Sequence, residues 1–182
     1  MPHWFTLPNL LTLTRLVLVP FVIGDILAGR HLRALELFAI AAATDVLDGA
    51  AARRWAQTTQ SGAYFDPIAD KALLSGAFLA LGAARIAPWW FVGVVLGRDL
   101  YILAAAGVFL LASSVRKFPP SVWGKISTFV QIVTVVVWMS RDVLELPALA
   151  LLSSVIIWPC LAFTVWSGLH YTWRGVQLAR AH

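Results

Sequence analysis

The sequence predicts an all-α membrane protein with six transmembrane helices. Three observations carry the prediction. Hydrophobic residues make up 60% of the 182-residue chain and charged residues 13%, against about 45–50% and about 25% in soluble domains. The apolar residues gather into six runs, each close to the ~20 residues that a helix needs to cross a bilayer. Nine tryptophans suit a chain that meets two membrane interfaces, where indoles concentrate. The length fits a single domain, residues 1–182.

The runs follow one another closely. The first covers about residues 9–28 and is interrupted by Arg15; the second covers about 32–52. The third begins near 66 and runs to about 84, the fourth covers about 88–112, and the fifth about 121–139. The sixth begins near 146 and extends past 166 toward 176. Charges and helix breakers fill the connections at 29–31, 85–88, 115–120 and 141–147, and the longest polar stretch is 53–62. No internal repeat is visible, which counts against a transporter built from duplicated halves. The opening Met-Pro-His-Trp has no basic leader, so no cleavable signal peptide is expected.

The net charge of +5 is spread singly between apolar runs, with no basic stripe and no DNA-binding motif. No nucleic-acid partner is therefore expected, and the cations read first as topology signals. With the N-terminus in the cytoplasm, the inner side holds Arg15, Arg53, Arg54, Lys71, Arg116, Lys117, Lys125, Arg174 and Arg180. The outer side holds Arg30, Arg33, Arg85 and Arg141, and Arg98 falls within the fourth span. That imbalance predicts a multi-pass protein with both termini inside and the second-to-third connection at the cytoplasmic face. Attraction to anionic lipid heads is a secondary role for these cations. Cys160 is the single cysteine, so no internal disulfide forms. Asp25 and Glu36 lie toward the outer end, where they are expected to face water or each other. Arg98 and Asp99 are adjacent and would line the interior. His3, His31, His170 and His182 have no ligand spacing to one another.

The acids carry the chemistry. There are nine, and four of them, Asp45, Asp48, Asp66 and Asp70, fall within 26 residues. Charges in membrane spans are costly and mark function. Asp45 and Asp48 are spaced i,i+3 on the second span, and Asp66 and Asp70 i,i+4 at the start of the third, so each pair shares a helix face. The loop between the two spans is short, which makes them antiparallel neighbours and puts both pairs at the cytoplasmic end. Converging carboxylates need a cation, and an all-oxygen set suits hard divalent ions such as Mg²⁺, Mn²⁺ or Ca²⁺. Two such ions clamp a phosphate between attacking and leaving oxygens, so a pyrophosphate is a natural guest. Gly49, the alanines at 50–52 and Gly62 allow close approach of a helix or a ligand. Helix packing alone accounts for each of them equally well. Arg53 could fork onto phosphate oxygens or serve as a positive-inside anchor, the role that suits Arg54 better.

Written out, the segment is Asp45-x2-Asp48-Gly49-x2-Ala52-Arg53-x8-Gly62-x3-Asp66-x3-Asp70. It resembles the signature of the CDP-alcohol phosphatidyltransferase family at all eight defined positions, a match of order 10⁻⁹ by chance at a given site. The resemblance implies that Asp45, Asp48 and Asp66 are ligands of two Mg²⁺ or Mn²⁺ ions. Asp70 would be the general base and a further metal ligand, and Asp48, Gly49, Ala52, Arg53 and Gly62 would line the CDP pocket. It implies transfer of the phosphatidyl group of CDP-diacylglycerol to an alcohol with release of CMP, in phospholipid biosynthesis, by a homodimer in the bacterial inner membrane. Flanking segments narrow the acceptor. Residues 8–15, 62–71 and 123–128 are similar to bacterial phosphatidylglycerophosphate synthases, whereas Gly97-Arg98-Asp99-Leu100 is closer to the cardiolipin synthases of the same family. A phosphate-bearing glycerol acceptor, glycerol 3-phosphate or phosphatidylglycerol, is expected, with Arg98 and Lys125 as its candidate contacts and Arg116 and Lys117 as weaker ones. Only eight residues precede the first span, fewer than in relatives with an N-terminal interfacial helix.

Inositol phosphate or serine would serve the same chemistry, because the signature does not read the acceptor. A divalent-cation transporter is the alternative of another class. Its acids would be spread along the membrane depth, whereas these cluster at one end beside Arg53 and Lys71. A structural membrane protein would have no use for two face-matched acid pairs.

Overall fold

The computed structural model describes the backbone of residues 7–55, 60–112 and 122–180, and the side chains of 13–44, 71–105, 122–174 and 177. Every element among the described residues is helical. They are α1 (Leu7–Leu27), α2 (His31–Trp55), α3 (Gln60–Ala83), α4 (Trp89–Ala112), α5 (Val122–Leu144), α6 (Pro147–Val155) and α7 (Ile157–Arg180). Two compact units divide them: Met1–Ala87 with Met139–Glu145, and Pro88–Trp138 with Leu146–His182.

Helix boundaries differ from expectation in two places. The polar stretch at 53–62 was expected to be a connection, but α2 continues through Trp55 and α3 begins at Gln60. Alanine, arginine and glutamine are good helix formers, so polarity there does not end the helices. The sixth run is split at Ile156 into α6 and α7. Pro159 explains the split: it has no N–H for the Val155 carbonyl, and its ring clashes with that carbonyl. Backbone bonds from Ile156 to the Leu152 carbonyl at 2.9 Å and from Cys160 to the Ile156 carbonyl at 3.2 Å bridge the break.

In the first unit, α1 packs against both α2 and α3. Its buried contacts are made by Val22 and Ile26 of α1, Ala34, Phe38 and Ala41 of α2, and Leu73, Ala77, Phe78 and Leu81 of α3. The i, i+4, i+7 spacing of the α2 set is the helical stripe expected of one packed face. Small residues bring the backbones close: a Cβ at Gly76 would lie 2.8 Å from Ile23 Cδ1 and 3.6 Å from Val19 Cγ1. The α1–α2 corner closes on Gly29 at φ 71°. Its N–H bonds the Ile26 carbonyl at 3.1 Å and that of Arg30 bonds the Asp25 carbonyl at 2.9 Å, the paired bonds of a left-handed helix stop. Arg85 ends α3 in the same way at φ 59°.

The second unit is organised by a polar seam. α4 packs on α7, and α6 on α7. α5 runs antiparallel to α6 and α7, since Gln131 meets Thr164 while Trp138, further along α5, meets Ser153. Ser127, Gln131 and Thr134 of α5 and Cys160, Thr164 and Ser167 of α7 are all buried. Gln131 Nε2 donates to Thr164 Oγ1 at 3.1 Å. Hydrogen bonds of this kind hold helices together where lipid removes the hydrophobic driving force. Val122–Leu144 and the stretch Pro147–Arg174, which takes in α6 and α7, are long and apolar enough to cross a membrane. Leu100, Leu103, Phe129, Leu151 and Trp158 are each more than 60% exposed, an outward apolar coat suited to lipid rather than water.

Candidate active site

The signature positions fall on two helices of the first unit. Asp45, Asp48, Gly49, Ala52 and Arg53 all lie on α2, and Gly62, Asp66 and Asp70 all lie on α3. Unbroken helix through each pair keeps Asp45 with Asp48, and Asp66 with Asp70, on one face. Gly62 falls within the first turn of α3 rather than in a loop. The two helices share α1 as a packing partner. The convergence of the four carboxylates, and the surroundings of Gly49, Ala52, Arg53 and Gly62, lie outside the described residues. So do Arg116 and Lys117.

The acids whose side chains are described have other work. Asp25 is not turned to water or to Glu36, as expected from sequence. It is buried and held by Arg30, whose Nε donates to Oδ1 at 2.7 Å, with Arg33 Nε 3.3 Å from Oδ2. Glu36 is exposed. Asp142 pairs with Arg141 at 2.9 Å and lies 3.7 Å from His31 Nε2. Asp99 takes Arg98 Nη1 at 2.6 Å. Among the described residues no group of three His, Cys, Asp or Glu could hold a metal ion. Asp45, Asp48, Asp66 and Asp70, whose side chains lie outside the described residues, offer an all-oxygen donor set of the kind that hard divalent cations take.

The two candidate acceptor contacts differ in setting. Lys125 is exposed in the first turn of α5, two residues after Trp123, which packs edge-on to Trp166 at 5.9 Å. Arg98 is buried on α4, as is Asp99. Besides Asp99, Arg98 donates through Nη2 to Ser167 Oγ on α7, and its Cγ lies 3.7 Å from where a Cβ on Gly168 would be. Tyr101 and Thr172 join the same two helices at 2.7 Å. The Cys160 thiol sits beside the hydroxyls of Thr134 and Thr164.

Sequence reasoning missed two features. Arg15, counted from the sequence among the cytoplasmic-side topology cations, is fully buried; its signal was a lone cation inside an apolar run. The polar seam was legible as Ser127, Gln131 and Thr134, spaced i, i+4, i+7 in an apolar segment.

Known proteins match the chain along most of its length. A family model described as CDP-alcohol phosphatidyltransferase matches residues 5–166. The chain is 36% identical over 180 residues to a probable phosphatidylglycerophosphate synthase of Mycobacterium tuberculosis, covering 94% of this chain and 82% of that protein. It is 34% identical over 183 residues to the CDP-diacylglycerol–glycerol-3-phosphate 3-phosphatidyltransferase of Bacillus subtilis, covering 92% and 93%. It is also 34% identical over 146 residues to a probable CMP-forming cardiolipin synthase of Drosophila melanogaster, covering 71% of this chain but only 45% of that longer protein.

Proposed function

The chain belongs to the CDP-alcohol phosphatidyltransferase family, a family of transferases, and we propose that it moves the phosphatidyl group of CDP-diacylglycerol onto glycerol 3-phosphate, releasing CMP. One observation carries the reading: the family match spans residues 5–166 and includes all eight signature positions, which fall on two unbroken helices. Glycerol 3-phosphate is favoured as acceptor because the Bacillus subtilis relative, named for that substrate, is matched over 93% of its own length. Phosphatidylglycerol is the second reading, favoured by the Gly97-Arg98-Asp99-Leu100 segment and the cardiolipin synthase relative.

In this reading Asp45, Asp48, Asp66 and Asp70 hold two Mg²⁺ or Mn²⁺ ions. When bound, these ions neutralise the diphosphate and the charge that develops on departing CMP. Asp70 takes the proton from the acceptor hydroxyl as its oxygen attacks the phosphorus next to the diacylglycerol. Gly49, Ala52 and Gly62 leave room for the cytidine diphosphate against helix backbone, and Arg53 forks onto its oxygens. The acceptor's phosphate is met by Lys125 and Arg98, an assignment that rests on their charge. The enzyme works in the bilayer with six spans, the last made of α6 and α7, and with both termini and the site at the cytoplasmic face of a bacterial inner membrane. The two membrane-capable segments and the positive-inside count support that topology. A homodimer completes the proposal. Gly93 and Gly97, four apart on exposed α4 surface with nothing within 4 Å of an added Cβ, would let a second helix approach closely.

The test is CMP release by the purified chain in nanodiscs with CDP-diacylglycerol and Mg²⁺, each acceptor supplied separately, and the lipid product identified by mass spectrometry. Acceptor-dependent release that gives phosphatidylglycerophosphate is the expected result. No CMP from folded protein with any acceptor and either cation would overturn the reading.

A further inference from the structure

Gln131 of the α5–α7 seam is fully buried, and its hydrogen bonding is incomplete. Its Nε2 donates to Thr164 Oγ1 at 3.1 Å, but its Oε1 is buried with no protein donor. Turning the amide over exchanges the two ends and still leaves one of them unpaired. A buried amide end without a partner is costly, the more so in a span where lipid excludes bulk water. Leucine or methionine at position 131 would carry no such cost. Gln131 therefore calls for a partner that the packed helices do not supply.

The contacts around the amide are loosely made. Gln131 Nε2 stands 3.5 Å from Ser127 Oγ, and Ser127 Oγ stands 3.5 Å from Thr164 Oγ1. Both exceed the ~3.2 Å within which such bonds are well made. Long contacts of this kind tighten when a ligand completes the set. The set is also neutral, one amide and two hydroxyls, so its complement is a neutral hydroxyl. An ammonium or carboxylate placed there would be buried without a counter-ion.

The position of the amide suits a short acceptor. Thr164, which holds Gln131, and Ser167, which holds Arg98, stand three apart on α7 and share a face. Arg98 from α4 and Gln131 from α5 thus reach the same strip of α7, about 4.5 Å apart along its axis. A three-carbon alcohol with a phosphate at one end spans that distance. All of these residues belong to the second unit.

We infer that Gln131 is a specificity-determining residue that receives the acceptor's second hydroxyl, the one on C2 of glycerol 3-phosphate, while the primary hydroxyl attacks. The inference rests on the proposed function and deepens it: the seam selects a glycerol-type diol over an amino alcohol such as serine. The hydroxyl donates to the free amide oxygen and accepts from the Ser127 or Thr164 hydroxyl.

The experiment compares two acceptors, glycerol 3-phosphate and 3-hydroxypropyl phosphate, which is the same molecule without the C2 hydroxyl. CMP release is measured in nanodiscs with CDP-diacylglycerol and Mg²⁺ for wild type, Gln131→Met and Gln131→Asn. Wild type is expected to favour glycerol 3-phosphate about ten-fold or more in kcat/KM, the order of one hydrogen bond that only one acceptor makes. Gln131→Met keeps the volume and removes the amide, so the preference should fall to near one, through loss of glycerol 3-phosphate activity alone. A residue that only supports the fold lowers both acceptors alike and leaves the ratio as in wild type. Should Gln131→Met not fold, Gln131→Asn, whose amide is drawn back by one methylene, decides by the same ratio. A wild-type ratio near one, or a ratio unchanged in the variants, overturns the inference and leaves the family chemistry standing. Wild-type protein that releases CMP with neither acceptor overturns both.

Discussion

The indole Nε1 of Trp138 on α5 donates a hydrogen bond to the backbone carbonyl of Ser153 on α6 at 3.0 Å. That carbonyl lies three residues before the break at Ile156. Trp138 is itself seated by Phe91 of α4, edge-on at 5.5 Å and 80°. Three helices of the second unit thus meet at the point where the last apolar span is interrupted. A buried carbonyl at such a break needs a donor, and Trp138 supplies it.

Trp138→Phe keeps an aromatic ring against Phe91 and removes only the donor. The expected loss of stability is about 1 kcal/mol. Denaturant or thermal unfolding in detergent, followed by circular dichroism, measures it. An unchanged midpoint would mean that another donor satisfies the carbonyl.

The α1–α2 corner depends on Asp25, whose side chain is 4% exposed while those of Arg30 and Arg33 are 57% and 63% exposed. Asp25→Asn leaves two arginines without their shared anion. Because both are largely solvated, the expected cost is modest, about 1–2 kcal/mol. Arg30→Ala and Arg33→Ala should each cost less than Asp25→Asn, because either arginine alone still pairs with the carboxylate. The order of the three unfolding midpoints checks this.

Arg85 holds a left-handed conformation, φ 59°, with an exposed side chain at the end of α3. Glycine adopts that conformation without penalty. Arg85→Gly should therefore gain about 0.5 kcal/mol, after allowing for glycine's extra freedom in the unfolded chain. Arg85→Ala should gain nothing, since it retains the Cβ. A common gain in both variants would point to the charge rather than the backbone.

Gly76 marks the closest approach of α3 to α1. Its neighbour at 2.8 Å, Ile23 Cδ1, is the far end of a flexible chain, so Gly76→Ala should be tolerated at a cost near 1 kcal/mol. Gly76→Leu should cost about 1–3 kcal/mol or more by overpacking. Ile23→Ala should relieve much of the Gly76→Leu penalty, which a double-mutant cycle reads directly.

The proposed chemistry predicts that chelation abolishes CMP release and that added Mg²⁺ or Mn²⁺ restores it. Asp70→Asn should lower kcat by about 10²–10⁴, the range for a lost general base, with little change in the KM for CDP-diacylglycerol. Steady-state kinetics at saturating acceptor separate the two constants.

The sequence by itself determined the helical class and the family of this protein. Twenty-residue apolar runs report helices in a bilayer, because lipid leaves the backbone no other way to satisfy its hydrogen bonds. The eight signature positions are local in the chain, so helical periodicity alone sets each acid pair on one face. The tertiary structure decided what depends on neighbours distant in sequence. Arg15 reads as a topology signal and Asp25 as a charge facing water or Glu36, yet in the packed first unit both are buried. Arg98 and Asp99 read from the sequence as neighbours lining the interior, and both are buried, but that α7 brings Ser167 to Arg98 is decided only by packing. The last span reads as one helix, yet Pro159 splits it, and the carbonyl near the split is satisfied by an indole from α5. Burial and long-range pairing are properties of packed surfaces, and one helix's periodicity states which face is apolar without stating what covers it.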